Sequence, residues 1–449
     1  MLALAFLRIL CYYKRNIKKE AAVTVGFFTL GCKVNQADSD AISAHMLAAG
    51  YSSAPPETAD IVVVNSCTVT AESDRKTRQT LRRFREVNRG CVLVLTGCAV
   101  QVGDDLIQQY PEVDLILGQR DIHALARYVD EFLLHRHPIV HVALHQRDEV
   151  FAPPGQVLSS TRATLKIQDG CDHFCTYCII PHARGPVRSK PLDDVRRDAQ
   201  TLVAQGFQEI VLVGINLAAY GKGHNHNLGD AVLAVAESGV ARIRLGSLEP
   251  DLLNESILKT LSRVKILCPH FHLSLQSGCD TTLKRMGRRY DSIHYASLVN
   301  QLRNLFPNVS ITTDLMVGFP GETEQEHAQS LAFVEQMAFS KVHVFPFSPR
   351  PRTPAATFKG QLIKAEKRQR SQQAISLAES LNNDFLATQV GQTLEVLLEQ
   401  PAKNGGMQGY SANYCPIVVL DATPTQQNQF VQILVSHVNG ERCTGTLLR

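Results

Sequence analysis

Short runs of β-branched and aliphatic residues alternate with amphipathic stretches over most of the chain, and this period limits the fold more than any single motif does. "VTVGFFTLG", "DIVVVNS", "CVLVLTG" and "VDLILG" come first, from about residue 23. Separated by helical patterns, they read as βαβ units and therefore as an open parallel α/β domain. After the polar link "RDEVFAPPGQVLSSTR", six more runs follow: "ATLKIQDG", "EIVLVGIN", "RIRLGSLEP", "HFHLSLQS", "SITTDLMVGFP" and "KVHVFPFSP". Six successive βα units predict an incomplete (β/α)6 barrel with its site at the carboxyl ends of the strands. Helical "IKAEKRQRSQQAISLAESLNNDFLATQ" then leads to "TLEVLLEQ", "YCPIVVL" and "FVQILVSHV", short strands with turn residues between them that predict a small β-barrel. The expected organisation is an extension (1–22), an α/β domain (23–140), a linker (141–158), the incomplete barrel (159–385) and the small β-barrel (386–449).

Cysteines mark both α/β units. Cys32, Cys67 and Cys98 each follow one of the first three runs directly. Those ends share the carboxyl edge of a parallel sheet, where such folds bind ligands, so the three thiols are expected to converge. A lone buried cysteine is usually a small hydrophobe, but three at equivalent strand ends are not lone. A second triplet, Cys171, Cys175 and Cys178 in "GCDHFCTYC", follows the first barrel strand with C-x3-C-x2-C spacing, and no further cysteine comes before Cys268. Structural zinc closes with four ligands, so zinc here would require His173 or His182 as the fourth. Three thiolates on an iron–sulfur cluster instead leave one iron open to a small molecule.

The rest of the composition bounds the setting. Twelve cysteines, most too far apart for a compact disulfide scaffold, suit a reducing compartment with some serving as metal ligands. A formal charge of +4 is compatible with an anionic partner without demanding one, so a nucleic-acid role must rest on local patches. "MLALAFLRILCYYKRNIKK" lacks a cleavage site and its charges follow its apolar run, so it reads as an extension or an over-long start, with a membrane anchor as the lesser alternative. No later apolar run is long enough to span a bilayer. A cytoplasmic protein is expected.

The second triplet, with Tyr177 just before its last cysteine, resembles the signature of the radical S-adenosylmethionine (SAM) superfamily. That resemblance implies a [4Fe-4S] cluster whose open iron is chelated by SAM, and one-electron cleavage of SAM to methionine and a 5′-deoxyadenosyl radical. Taken with the first triplet and the terminal β-domain, the chain resembles the radical SAM methylthiotransferases from about residue 23 to its end. "TLGCKVNQADSD", "NSCTVT", "TGCAVQ", "IIPHARGPVRS", "GINLAAYG", "RLGSLEP", "HLSLQSGCDTTLKRMGRRY" and "TDLMVGFPGET" carry the likeness, and "GYSANYCPIVV" is similar to the RNA-binding TRAM module. The family likeness implies a second, auxiliary [4Fe-4S] cluster on Cys32, Cys67 and Cys98 that handles the inserted sulfur. "GCKVNQ" and "NSCTVTAESDRKTRQ" are most similar to the branch acting at carbon 2 of threonylcarbamoyladenosine beside the tRNA anticodon. "TGCAVQ" lacks an aromatic often found there, and "PRPRTPAA" is a loose version of its motif. Implied partners are the tRNA anticodon stem-loop, a flavodoxin- or ferredoxin-like electron donor and an unidentified sulfur donor. Isopentenyladenosine or a ribosomal-protein aspartate as target is the alternative within the family, and a non-catalytic Fe–S RNA-binding protein is the alternative outside it.

Other residues are placed by pattern. Tyr177, Asn216, Glu249, Gln276 and Asp314 fall at or near expected barrel strand ends and are candidates to contact SAM, although polar residues there often cap helices instead. Arg75, Arg78, Arg82, Arg85 and Arg89 form one stripe on a helix after Cys67, suited either to RNA phosphates or to a solvated face. Tyr410 and Tyr414 are candidate base-stacking platforms or core residues. His224 and His226 read as an exposed loop. Cys11, Cys91, Cys268, Cys279, Cys415 and Cys443 fit no ligand pattern.

Overall fold

A computed structural model describes residues 22–155, 161–403 and 405–448. Most of the expected extension, with Cys11, lies outside these residues, as does the end of the linker. The first unit is a six-stranded sheet of β1 (Thr24–Thr29), β2 (Ser52–Ser53), β3 (Ile61–Ser66), β4 (Val92–Gly97), β5 (Leu115–Leu117) and β6 (Ile139–His141), ordered β2-β1-β3-β4-β5-β6. All its pairings are parallel. β3 and β4 are buried along their whole length, which is why they read as unbroken apolar runs rather than alternating ones. The chain leaves β1 toward β2 and then returns to β3 on the other side. The β1/β3 boundary is therefore the topological switch point, where the strand ends splay and leave a crevice.

The second unit contains β7 (Arg162–Lys166), the two-residue antiparallel pair β8 (Gln168–Asp169) and β9 (Arg188–Ser189), and then β10 (Glu209–Val213), β11 (Arg242–Leu245), β12 (Ser247–Leu248), β13 (His270–Gln276), β14 (Ser310–Val317) and β15 (Lys341–Pro346). Two parallel sheets, β11-β10-β7 and β12-β13-β14-β15, meet in the single run Arg242–Leu248, broken at Gly246. The six expected barrel strands are thus present as an incomplete barrel. Alternate residues such as Leu165, Leu212, Leu245 and Leu273 join the helices in a large apolar core. The open flank is covered from outside the barrel: helix Lys33–Ala48 of the first unit sets Val34 and Ala37 against Val211, Val213 and Ile215.

The last unit is a closed five-stranded barrel of β16 (Thr393–Pro401), β17 (Met407–Ser411), β18 (Pro416–Val419), β19 (Phe430–Asn439) and β20 (Arg442–Leu447). Its attachment combines apolar packing of Phe385 and Leu386 from the preceding helix with an ionic contact. Arg244 on β11 is fully buried, donates from Nε to Glu209 Oε1 at 2.8 Å, and reaches the carbonyls of Ala412 at 3.0 Å and Ser411 at 3.2 Å. Tyr410 and Tyr414 stack at 4.6 Å, with Arg162 over both rings and Arg244 and the His270 ring against Tyr414. The pair thus lies against the amino-terminal ends of the barrel strands instead of standing free as a platform for bases.

Burial alone would push the Glu209 carboxyl up, but Arg244, Arg162 and Arg242 outweigh it and hold it below the usual range. A depressed carboxyl contributes stability above its unfolded pKa of about 4, which is lost as pH falls through the folded value. Arg244→Met is therefore expected to cost about 3–5 kcal/mol at pH 7 by leaving Glu209 buried without its closest cation, and less in acid. Calorimetry at pH 7 and pH 4 checks this; an unchanged melting temperature at both would contradict it.

Candidate functional site

The first triplet occupies the switch point. Gly31 and Gly97 precede Cys32 and Cys98 with φ of 111° and 99°, a backbone region closed to ordinary side chains. A Cβ on Gly31 would come within 3.0 Å of Cys67 Cβ, so glycine there lets the first two cysteine loops approach. Cys32 stands at the N-cap of helix Lys33–Ala48, and Cys98 opens helix Cys98–Val102. Two amides lock the loops together: Asn35 Nδ2 donates to Ser66 O at 2.8 Å, and Asn65 Nδ2 donates to Asn35 O at 2.9 Å. The Cys32 thiol donates to Asn35 Oδ1 at 3.4 Å. Burial, reinforced by the nearby Cys67 and Cys32 sulfurs, pushes the Cys98 thiol up to about 11.

The second triplet forms the loop between β8 and helix Ile180–Arg184. Backbone bonds pin it, from Cys171 N to Gly185 O at 3.1 Å and from Thr176 N to Met286 O at 2.9 Å. Burial pushes the Cys171 thiol up to about 11 and the Cys178 thiol up to about 12. Arg288 gathers the surroundings, donating to Cys175 Sγ at 3.3 Å and Tyr177 Oη at 3.4 Å while pairing with Glu249. The Asn216 amide nitrogen lies 4.0 Å from Cys171 Sγ. Asn216 Oδ1, Gln276 Oε1 and Asp251 Oδ1 are buried acceptors without a protein donor among the described residues. An orphaned acceptor on Asn216, whose amide also reaches toward Cys171, fits a ligand that carries amine or hydroxyl groups.

Of the candidate contacts, Tyr177, Asn216 and Glu249 are drawn to the triplet. Gln276 ends β13 in a left-handed conformation at φ 68°. Asp314 differs from expectation, sitting in the middle of β14 and bound to His272 Nε2 at 3.1 Å.

One side chain joins the two triplets. Arg184, at the end of the helix that follows Cys178, is 0% exposed. It donates to Asp38 Oδ2 at 2.7 Å, Asn35 Oδ1 at 3.1 Å and Cys98 Sγ at 3.2 Å, and pairs with Asp169 at 3.4 Å. Lys166 bridges the same two carboxylates at 2.6 Å each. Burial alone would raise the Asp169 carboxyl, but Lys166, Arg184 and Arg188 hold it well below the usual range. Asp38, Arg184 and Arg288 lie in motifs that carry other charged and polar residues, so nothing local in the sequence set them apart. The arginine stripe divides on inspection. Arg75 pairs with Glu72, Arg82 with Glu112, and Arg85 turns inward to Asp114 at 2.6 Å, while Arg78 and Arg89 are exposed.

An incomplete barrel with an open three-thiol loop, facing a second three-thiol edge, defines a radical SAM enzyme with an additional thiol-lined centre. Comparison with known proteins agrees. Residues 165–334 match the Radical SAM superfamily and residues 24–118 match the Uncharacterized protein family UPF0004. The chain is 38% identical to threonylcarbamoyladenosine tRNA methylthiotransferase MtaB of Bacillus subtilis, over 88% of this chain and 90% of that one. It is 36% identical to the Thermotoga maritima enzyme of that name, over 87% and 90%. Against a tRNA-2-methylthio-N(6)-dimethylallyladenosine synthase of Syntrophotalea carbinolica the identity is 33%, over 90% and 95%. Among solved structures, the radical SAM methyltransferase TsrM of Kitasatospora setae aligns with a TM-score of 0.56 at 15% identity, covering 75% of this chain and 77% of that one, a likeness of fold alone. The chain belongs to the radical SAM tRNA methylthiotransferase family. Enzymes of this family use SAM and [4Fe-4S] clusters, and the free thiols and orphaned acceptors suit both. No helix among the described residues is long and apolar enough to cross a membrane.

Thiols pushed up to about 11 and 12 are protonated at neutral pH, and they must lose those protons to bind metal. Anaerobic loading with iron and sulfide is therefore expected to release protons and to strengthen from pH 7 to pH 9. A pH-stat follows the release; uptake that releases none and is indifferent to pH would contradict the assignment of these thiols.

Proposed function

We propose that this enzyme replaces the hydrogen at carbon 2 of threonylcarbamoyladenosine, beside the anticodon of tRNA, with a methylthio group. The observation that carries the reading is the pair of three-thiol edges joined through Arg184, in a chain similar over most of its length to enzymes named for that nucleoside. In this reading Cys171, Cys175 and Cys178 hold the SAM-binding cluster, and Cys32, Cys67 and Cys98 hold the auxiliary one. When bound, these groups supply the radical hydrogen abstraction and the sulfur and methyl groups.

The chain's own contribution is placement. Asn216 and Gln276 offer their unpaired acceptors to the amine or ribose of SAM, and Glu249 acts with Arg288 beside Cys175. Tyr177, half-buried and edge-on to Phe319 at 6.4 Å, packs the wall behind the loop. Asp314, held by His272, is assigned to the barrel interior and contacts SAM only at the far side of its site. The two sheet edges leave the target base between two centres, the arrangement in which orientation lowers a barrier most. The five-stranded barrel is assigned to the body of the tRNA, through its exposed face rather than through Tyr410 and Tyr414. A flavodoxin- or ferredoxin-like protein as electron donor, a separate sulfur donor and a cytoplasmic location follow from the same reading, as do the unit boundaries given above.

Mass spectrometry of nucleosides from total tRNA tests this in cells with the gene, without it, and with Cys175→Ala. The methylthio form of threonylcarbamoyladenosine is expected to vanish in the last two while its precursor accumulates. Loss of methylthio-isopentenyladenosine instead would move the enzyme to the neighbouring branch; persistence of both nucleosides would refute the tRNA reading.

A further inference from the structure

We propose that Arg184 is a positioning residue for the auxiliary centre, which it registers against the SAM-binding loop and whose reduced state it stabilises by donating a hydrogen bond to the Cys98 sulfur. The inference rests on the reading of Cys32, Cys67 and Cys98 as cluster ligands.

An arginine that served only to join two domains would be satisfied by carboxylates, and two are present in Asp38 and Asp169. The guanidinium instead divides its donors. Nη1 takes the carboxylates, Nε faces Cys98 Sγ at 3.2 Å, and Nη2 faces Asn35 Oδ1 at 3.1 Å. That same Asn35 oxygen accepts the Cys32 thiol at 3.4 Å, so one guanidinium touches the triplet once directly and once through an amide. A neutral thiol is a poor acceptor for so buried a cation. A metal-bound thiolate is anionic, and the contact then becomes a charge-assisted bond.

The surrounding charges strengthen this argument. Lys166, Arg184 and Arg188 face Asp38, Asp169 and Glu149, three cations against three carboxylates, so the network balances without any sulfur ligand. Arg184 is the member aimed at the cysteine. Hydrogen bonds to ligand sulfurs favour the more negative, reduced state and raise a cluster's potential. Arg184 also lies six residues beyond Cys178 on a short rigid helix. Its bond to Cys98 therefore ties the SAM-binding loop directly to the auxiliary ligand set, with no flexible segment between.

The test uses the full chain carrying Cys171→Ala, Cys175→Ala and Cys178→Ala, so that after anaerobic reconstitution only the auxiliary centre holds iron. Reductive titration followed by electron paramagnetic resonance (EPR) compares Arg184 with Arg184→Gln and Arg184→Lys. Auxiliary iron is expected to be retained, with the midpoint potential shifted negative in Arg184→Gln and by less in Arg184→Lys, which keeps the charge and loses the fork. In the chain with all cysteines restored, Arg184→Gln is expected to keep cleaving SAM while methylthiolated product per 5′-deoxyadenosine falls on the order of 100-fold, the penalty of a small misplacement. An unchanged potential and unchanged coupling would overturn the proposal. So would loss of auxiliary iron in both variants, since Arg184 would then assemble the site rather than tune it. Cys98→Ala in the same background is the control for the underlying reading: if it retains the full auxiliary cluster, that reading fails whatever Arg184 does.

Discussion

The arrangement depends on a buried ion network between two sheet edges. Asp38 comes from the helix after Cys32, Asp169 and Lys166 from the strands before Cys171, and Arg184 from the helix after Cys178. Burying such charges is expensive, and replacing them with apolar residues of similar volume often leaves a protein no less stable. What apolar residues lack is direction. A network with defined hydrogen bonds admits one register between the units, whereas an apolar seam tolerates sliding. Val34 and Ala37 against Val211 and Val213 supply the apolar part of the seam, and the ions fix where it sits.

That register explains why two ordinary supersecondary patterns make one site. Each parallel sheet gathers its own cysteine loops at its carboxyl edge. Chemistry between the triplets additionally requires the edges to face one another. The backbone prepares this locally through Gly31 and Gly97, which turn sharply enough for helices to begin at the cysteines themselves. At the opposite end of the barrel, Arg244, Glu209 and the stacked tyrosines occupy the strand starts, where Lys33 of the first unit reaches over the Tyr414 ring at 5.6 Å.

Much of this was legible in the sequence, and the gaps have physical causes. All six barrel strands and four strands of the first sheet were read correctly, because strands buried throughout, such as β3, β4 and β10, are continuously apolar and half-buried ones such as β7 keep an apolar alternation. β2 and β6 were missed as short edge strands with little to bury, and β17 and β20 because Gly, Gln and Thr dilute their pattern. The convergence of the first three thiols at the carboxyl edge followed from the βαβ pattern, whereas the strand order that makes it a switch point did not. Nor did Arg184, because its partner Asp38 lies 146 residues away and no local period links them. The arginine stripe stood open between RNA phosphates and a solvated face, because helical spacing places charges on one face but cannot reveal that Glu112 and Asp114 lie beside two of them. Tyr410 and Tyr414 stood open between stacking platforms and core residues, because the cations beside them come from distant elements, β7, β11 and Lys33 of the first unit.

The central claim is that the two triplets form one site across the domain seam, and low-temperature EPR of the doubly reduced, fully loaded enzyme tests it most directly. Two paramagnetic clusters held close together are predicted to give a spin-coupled spectrum that collapses to simple single-cluster signals when either triplet is replaced by alanine. A spectrum equal to the sum of the two single-cluster spectra would mean that the centres are magnetically independent, and would contradict the account.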